Sequence, residues 1–225
     1  MGFLISFANS SIGKKFLMAI TGSFLIIFLI IHLIGNITLY FGPVVFNTYV
    51  EALEKIKPLI RVIEFVLFGA FLMHIFNGTR LWIENKVARD KDYKISGSSE
   101  KVTLVSRTMF LTGSIVFIFL VVHLGTFFWR FNVYDPAGLA DKHLYFDMVV
   151  YFFRIWWYVA LYVIACILLG FHLNHGFQSA FQTFGWNHNK YTPLIKMIGT
   201  IYAVIMAVGF ASIPIYFFFT YGGKL

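Results

Sequence analysis

The chain has 225 residues, of which 59% are hydrophobic, 20% aromatic and only 12% charged, with a mean hydropathy of +0.78. A soluble domain carries about twice that share of charge, so the composition excludes a secreted domain, a cytosolic enzyme and a disordered binder. It indicates an integral membrane protein, and the formal net charge of +8 reads as basic loops beside anionic lipid head groups, with no nucleic-acid partner.

In chain order, five apolar stretches are long enough to cross a bilayer, which takes about 20 residues each. They run Phe16–Phe41, Leu59–Ile83, Val102–Trp129, Met148–Leu173 and Leu194–Phe219. With their flanking turns the predicted spans are 16–41, 59–86, 102–130, 147–184 and 193–219, in one membrane domain covering 1–225. Gly42-Pro43 breaks the chain after the first span, and Asp135-Pro136-Ala137-Gly138 after the third. The fourth span continues as a more polar helix through Gln178 and Gln182 to Gly185. The first apolar run is too long for a cleavable signal and lacks a small-residue cleavage site. The single cysteine, Cys166, forms no intrachain disulfide and no C-x-x-C-H haem attachment, and reads as a small buried residue.

Five helices put the termini on opposite sides. The side holding the N-terminus carries Lys14, Lys15, Arg80, Lys86, Arg89, Lys91, Lys94, Lys101, Arg107, Lys190 and Lys196. The other carries Lys55, Lys57, Arg61, Arg130, Lys142, Arg154 and Lys224. The positive-inside rule therefore predicts a cytoplasmic N-terminus and an external C-terminus, and the expected location is a bacterial inner membrane.

The first four spans contain a repeat. Met18–Leu33 reads MAITGSFLIIFLIIHL, and Met109–Leu124 reads MFLTGSIVFIFLVVHL. In both, Met lies fourteen residues before a His and Thr-Gly-Ser begins eleven residues before it. The second and fourth spans share H-x-x-x-G at His74/Gly78 and His172/Gly176. The pattern predicts an all-α bundle built from a tandem two-helix unit, with the fifth helix outside it. Same-topology repeats relate by an axis along the membrane normal.

Each of the first four spans carries at least one His, and ionisable groups at membrane depth are functional candidates. At ~1.5 Å per residue, His32 and His123 fall in the outer half. His74 and His172, on helices running the other way, fall in the inner half. Two levels with two His each, drawn from opposite repeats, are what two stacked bis-imidazole b-type haems require. A helix–helix hydrogen bond is the plainer reading of any one such His. Thr21 and Thr112 share a face with His32 and His123, ~16 Å deeper, at the level of the inner site. Gly22 and Gly113 beside them either open space for a macrocycle or serve close helix packing. His172 and His175 compete for the inner position. His143 and His188 lie in loops and read as exposed.

Glu64 lies ten residues before His74, toward the outside. A buried carboxyl there could exchange protons with a quinone, and an ion pair with Arg61 is the alternative. Arg80, Lys14, Lys15 and Arg107 line the inner end as partners for haem propionates or as plain positive-inside charge.

HLIGN at His32–Asn36, R-x-x-E at Arg61–Glu64, H-x-x-x-G-x-R at His74–Arg80, His123, and FHLNHGFQSAFQTFGWNHNKY at Phe171–Tyr191 together resemble one family. It is the cytochrome b membrane anchor of succinate:quinone oxidoreductases, in the single-chain, five-helix, two-haem class. The resemblance spans nearly the whole chain. It implies His32 with His123 for a distal haem and His74 with His172 for a proximal one, and it favours His172 over His175. It also implies a flavoprotein subunit with FAD and an iron–sulfur subunit on the cytoplasmic face. Electrons would pass between that iron–sulfur subunit and membrane quinone, usually menaquinone near the distal haem, while dicarboxylate chemistry resides in the flavoprotein. Some fumarate-reducing members carry Glu two residues before the fourth-helix His. Here that position is Gly170, which tilts the expectation toward succinate oxidation. Two rivals stay open: a dihaem anchor of another respiratory oxidoreductase, and a haem-free membrane transporter or assembly protein.

Overall fold

The computed structural model describes residues 2–87, 104–133 and 144–222. The predicted start of the third span at 102, the Asp135–Gly138 turn and His143 lie outside the described residues. So do Arg89, Lys91, Lys94, Lys101, Lys142, Lys224 and the side chain of Arg107. Among the described residues every regular element is helical, and five helices are long and apolar enough to cross a membrane.

A short α1 (Phe3–Asn9) precedes the long α2 (Ser11–Ile37). Ser10 separates them: its extended backbone cannot continue α1, and its hydroxyl accepts the Gly13 N–H at 3.0 Å as the N-cap of α2. Helix α2 tightens into a 3₁₀ turn over Thr38–Phe41 and stops at Gly42, whose φ of +89° suits glycine. Pro43 then opens α3 (Pro43–Lys55), a helix the sequence reading leaves as loop. Helix α4 (Lys57–Val87) crosses back unbroken. The third span is α5 (Leu104–His123), a π turn over Leu124–Phe128 and α6 (Trp129–Asn132).

The fourth predicted span, 147–184, is two helices. Its first residues belong to α7 (Tyr145–Phe153), and the spanning helix α8 (Trp156–Thr183) starts only after a break. Ile155 is extended, with φ −91° and ψ 111°, and Arg154 turns aside so that its Nε donates to the Tyr221 carbonyl at 2.9 Å. Helix α8 ends in a Schellman-type turn: Gly185 takes φ +81°, and the Trp186 N–H reaches the Phe181 carbonyl. The chain closes with α9 (Thr192–Tyr221), which holds a buried Pro214 in its interior.

Two packing regions organise the bundle. Helices α3 and α7 cap the end that the charge pattern assigns to the outside. There Asn47 Oδ1 accepts the Phe146 N–H, and Leu39, Phe46, Phe127, Phe146, Phe153, Tyr158, Tyr162 and Phe217 form the main core. Deeper in, Leu33, Leu173, Ala203 and Met206 join α2, α8 and α9. Small residues set these approaches: a methyl added at Gly209 would meet the Leu33 side chain, and one at Gly199 the Phe177 ring. The outer faces of the spans are apolar and uncovered, as at Phe65 (76% exposed), Phe76 (68%) and Phe219 (79%). Such a surface belongs in hydrocarbon. Helix α2 packs closely along α8, whereas α4 meets α5 mainly through the stacked rings of Trp82/Phe110 and Phe71/Phe117.

Candidate functional site

The four predicted histidines meet as two pairs. His32 on α2 faces His123 at the end of α5, with ring centroids 5.8 Å apart and planes at 89°. His74 on α4 faces His172 on α8, with centroids 6.3 Å apart and planes at 70°. Each pair joins the equivalent residues of the two repeats across the bundle. The ring facing His74 is that of His172, which separates it from His175 one turn further on. All four histidines are half-buried within the spanning segments.

The repeat is visible in how the helices touch. A Cβ added at Gly22 would lie 3.4 Å from His74 Cε1, and one at Gly113 would lie 3.0 Å from His172 Cε1. The Met18 methyl packs on Gly78, and the Met109 methyl on Gly176. The Met…Thr-Gly-Ser motif of each first helix therefore grips the H-x-x-x-G motif of each second helix, in both halves. The two glycines make room for the inner imidazoles themselves.

Thr21 is buried at the inner level. Its Oγ1 donates to the Leu17 carbonyl at 2.7 Å and lies 3.4 Å from His74 Nδ1. Eleven residues along α2 then carry ~16 Å from Thr21 to His32, so the two pairs occupy separate levels. Thr112, the repeat equivalent of Thr21, is also buried and donates to the Met109 carbonyl. His172 Nδ1 is the one fully buried side-chain nitrogen or oxygen among the described residues without a hydrogen-bond partner.

The outer pair has different surroundings. His32 stacks on Phe28 at 5.2 Å and lies 5.7 Å from Phe210. His123 Nδ1 is 3.0 Å from the Tyr162 hydroxyl, which is 3.0 Å from the Tyr158 hydroxyl. The sequence reading missed both tyrosines. Their signal was available: two phenols one turn apart in an otherwise apolar membrane helix need polar partners. In the HLIGN motif, Asn36 Nδ2 donates to the His32 carbonyl, and the Tyr49 ring of α3 closes onto Gly35. Burial pushes the Tyr49 phenol pKa up.

The charged candidates sit at the two ends. Glu64 pairs with Arg61 at 2.7 Å, and Arg61 also donates to Asn132 Oδ1 at 2.8 Å. The R-x-x-E motif thus ties α4 to α6. Arg80 pairs with Glu84 at 3.1 Å and donates to Asn9 Oδ1 at 3.0 Å. Lys14, only 6% exposed, is bound by the same Glu84 carboxylate at 2.5 Å. Glu84, absent from the sequence candidates, is the hub of this end. His188 is exposed in its loop, as expected, and its Nδ1 accepts the Lys190 N–H.

No curated protein and no solved structure matches the chain significantly. Residues 15–105, which include His32, Glu64, His74 and Arg80, match the family model described as succinate dehydrogenase/fumarate reductase transmembrane subunit. The match takes in two of the five spans, and over that stretch the chain is similar to the succinate dehydrogenase/fumarate reductase membrane subunits.

Proposed function

We propose that the chain is a dihaem cytochrome b anchor, with His32 and His123 holding one haem b and His74 and His172 the other. The facing of repeat-equivalent imidazoles at two levels carries the reading. Two imidazoles that each offer a nitrogen to one first-row metal at about 2 Å have ring centres roughly 6 Å apart. Separations of 5.8 and 6.3 Å fit that requirement. The histidines come in twos, and among the described residues no three His, Cys, Asp or Glu converge to cage a metal by themselves. A pair alone suits an iron whose remaining ligands come from a macrocycle. The His172 Nδ1 left without a hydrogen-bond partner fits a site not closed by protein packing alone.

Haem bound at these pairs supplies one-electron transfer. The chain's own residues do the rest. The helices hold the paired imidazoles opposite each other across the bundle, and Gly22 and Gly113 let the inner rings approach. Thr21 steadies His74. The Lys14–Glu84–Arg80 group lies at the inner end, where a flavoprotein with FAD and an iron–sulfur subunit would dock on the cytoplasmic face. Quinone, in this reading menaquinone, is the membrane substrate, with Glu64 the candidate for proton exchange toward the outside. The N-terminus is cytoplasmic, in a bacterial inner membrane.

The test is a reduced-minus-oxidised spectrum of the purified complex with haem quantified per chain. Two b-type haems per chain are expected, and His32→Ala, His74→Ala, His123→Ala and His172→Ala should each remove one. Absence of a b-type α-band overturns the reading and returns the haem-free transporter to the front.

A further inference from the structure

The four histidines differ in what lies behind them. His123 alone is tied to a phenol, at 3.0 Å from Tyr162, and that phenol is tied to Tyr158 at 3.0 Å. Both tyrosines are nearly inaccessible, at 5% and 3% exposure, and both sit in the aromatic core under the cap. Thr126 of the π turn is the next polar side chain beside Tyr158. His32, the partner of His123, lies between Phe28 and Phe210 with no hydrogen bond from its ring among the described residues. In the inner pair, His74 has only the 3.4 Å approach to Thr21, and His172 Nδ1 has no side-chain partner, the Met109 backbone being the polar group beside this ring.

With the buried Tyr162 hydroxyl proton kept in use, the proton arithmetic of this chain has two solutions. Either Tyr158 donates to Tyr162 and Tyr162 donates to His123 Nδ1, or every donor points the other way. In the first arrangement the His123 proton sits on Nε2, and that nitrogen has no lone pair to offer a metal. In the second, Nδ1–H donates to Tyr162, Tyr162 donates to Tyr158, and Nε2 is free. A metal on Nε2 selects the second. A ligating imidazole whose other N–H is accepted becomes a stronger donor, and the second phenol strengthens the acceptance by the first.

We propose that Tyr162 and Tyr158 are positioning residues for His123. They fix its tautomer and orientation and make the outer haem site electronically unlike the inner one, favouring the oxidised form of the outer iron. The inference rests on the haem assignment above, and concerns a difference between the two sites that the assignment does not require.

The experiment is a redox titration of the purified complex, followed optically and by the low-spin ferric EPR signals. The outer haem is identified as the component lost in His123→Ala. In Tyr162→Phe, the outer haem should be reduced more readily, by about tenfold in its reduction equilibrium, or 59 mV for one electron, with the inner haem unmoved. Tyr158→Phe leaves the direct contact to His123 in place and should shift the same haem in the same direction by less. It remains informative if Tyr162→Phe fails to assemble. Unchanged potentials in variants that retain both haems overturn the inference, as do equal shifts of both. A wild-type complex without b-type haem overturns the assignment beneath it, and shows this before any tyrosine is changed.

Discussion

Gly113 approaches His172 so closely that a methyl group on the glycine would lie 3.0 Å from the imidazole Cε1. The repeat-equivalent contact, Gly22 with His74, is looser at 3.4 Å. This near-symmetry with a small offset yields a paired prediction. Gly113→Ala should push His172 aside and cost about 1–3 kcal/mol in overpacking, with the inner haem weakened or lost. Gly22→Ala should retain both haems. Haem content and inner-site EPR g-values check the pair, and equal tolerance of both substitutions would show that the inner rings are not held by these glycines.

The orientation of His172 toward His74 leads to the second prediction. His172→Ala should leave one haem per chain. His175→Ala, one turn further along α8, should leave two. Pyridine haemochrome analysis of both variants decides it, and the reverse result would move the inner ligand to His175.

Much of this arrangement is legible in the sequence because helix geometry is rigid. A fixed rise per residue turns the positions of His32, His74, His123 and His172 into depths, and the Met…Thr-Gly-Ser repeat supplies the pairing. What stays hidden has equally physical reasons. Tyr145–Phe153 is as apolar as a span, so the break at Arg154–Ile155 leaves no mark in hydropathy. The amphipathic α3 is too short and too polar to stand out between two spans. Tyr158 and Tyr162 are two of 12 tyrosines, and only the fold places one beside His123. Glu84 resembles an ordinary charge at a helix end until Lys14, seventy residues earlier, is buried against it.

Glu84 serves two cations at once, and this gives the third prediction. Glu84→Gln leaves Lys14 buried without its counter-charge and frees Arg80 from α4's last turns. A buried charge that loses its partner is more costly than an exposed one. The variant should therefore melt earlier than Lys15→Gln, which removes an exposed charge. Thermal denaturation of the two proteins in the same detergent checks this, and equal melting would show that the Lys14–Glu84 contact contributes little.

The Arg61–Glu64 pair separates a chemical role from a structural one. A partly exposed pair contributes on the order of 1 kcal/mol or less to stability, so Glu64→Gln should fold and keep both haems. If the carboxyl exchanges protons with quinone, turnover should fall by about a hundredfold. Haem content and quinone reductase activity of the same preparation distinguish the roles. Full activity with both haems present would leave Glu64 as a tie between α4 and α6 through Arg61 and Asn132.

Gly170 has its own structural demand. A Cβ at this position would lie 2.9 Å from the Cβ of Ala207 and 3.5 Å from the Ala203 carbonyl oxygen, so α8 and α9 are nearly in backbone contact there. A glutamate two residues before His172 has no room unless α9 moves away. Gly170→Ala should already cost about 1–3 kcal/mol, and Gly170→Glu should separate α9 from α8 and destabilise the inner site with it. The contact is specific, which makes it reversible: Ala207→Gly removes the clashing methyl and should restore much of the stability lost in Gly170→Ala. Thermal stability and haem retention in the two single variants and the double variant test this coupling. Simple additivity of the two changes would show that the space at Gly170 is not set by Ala207.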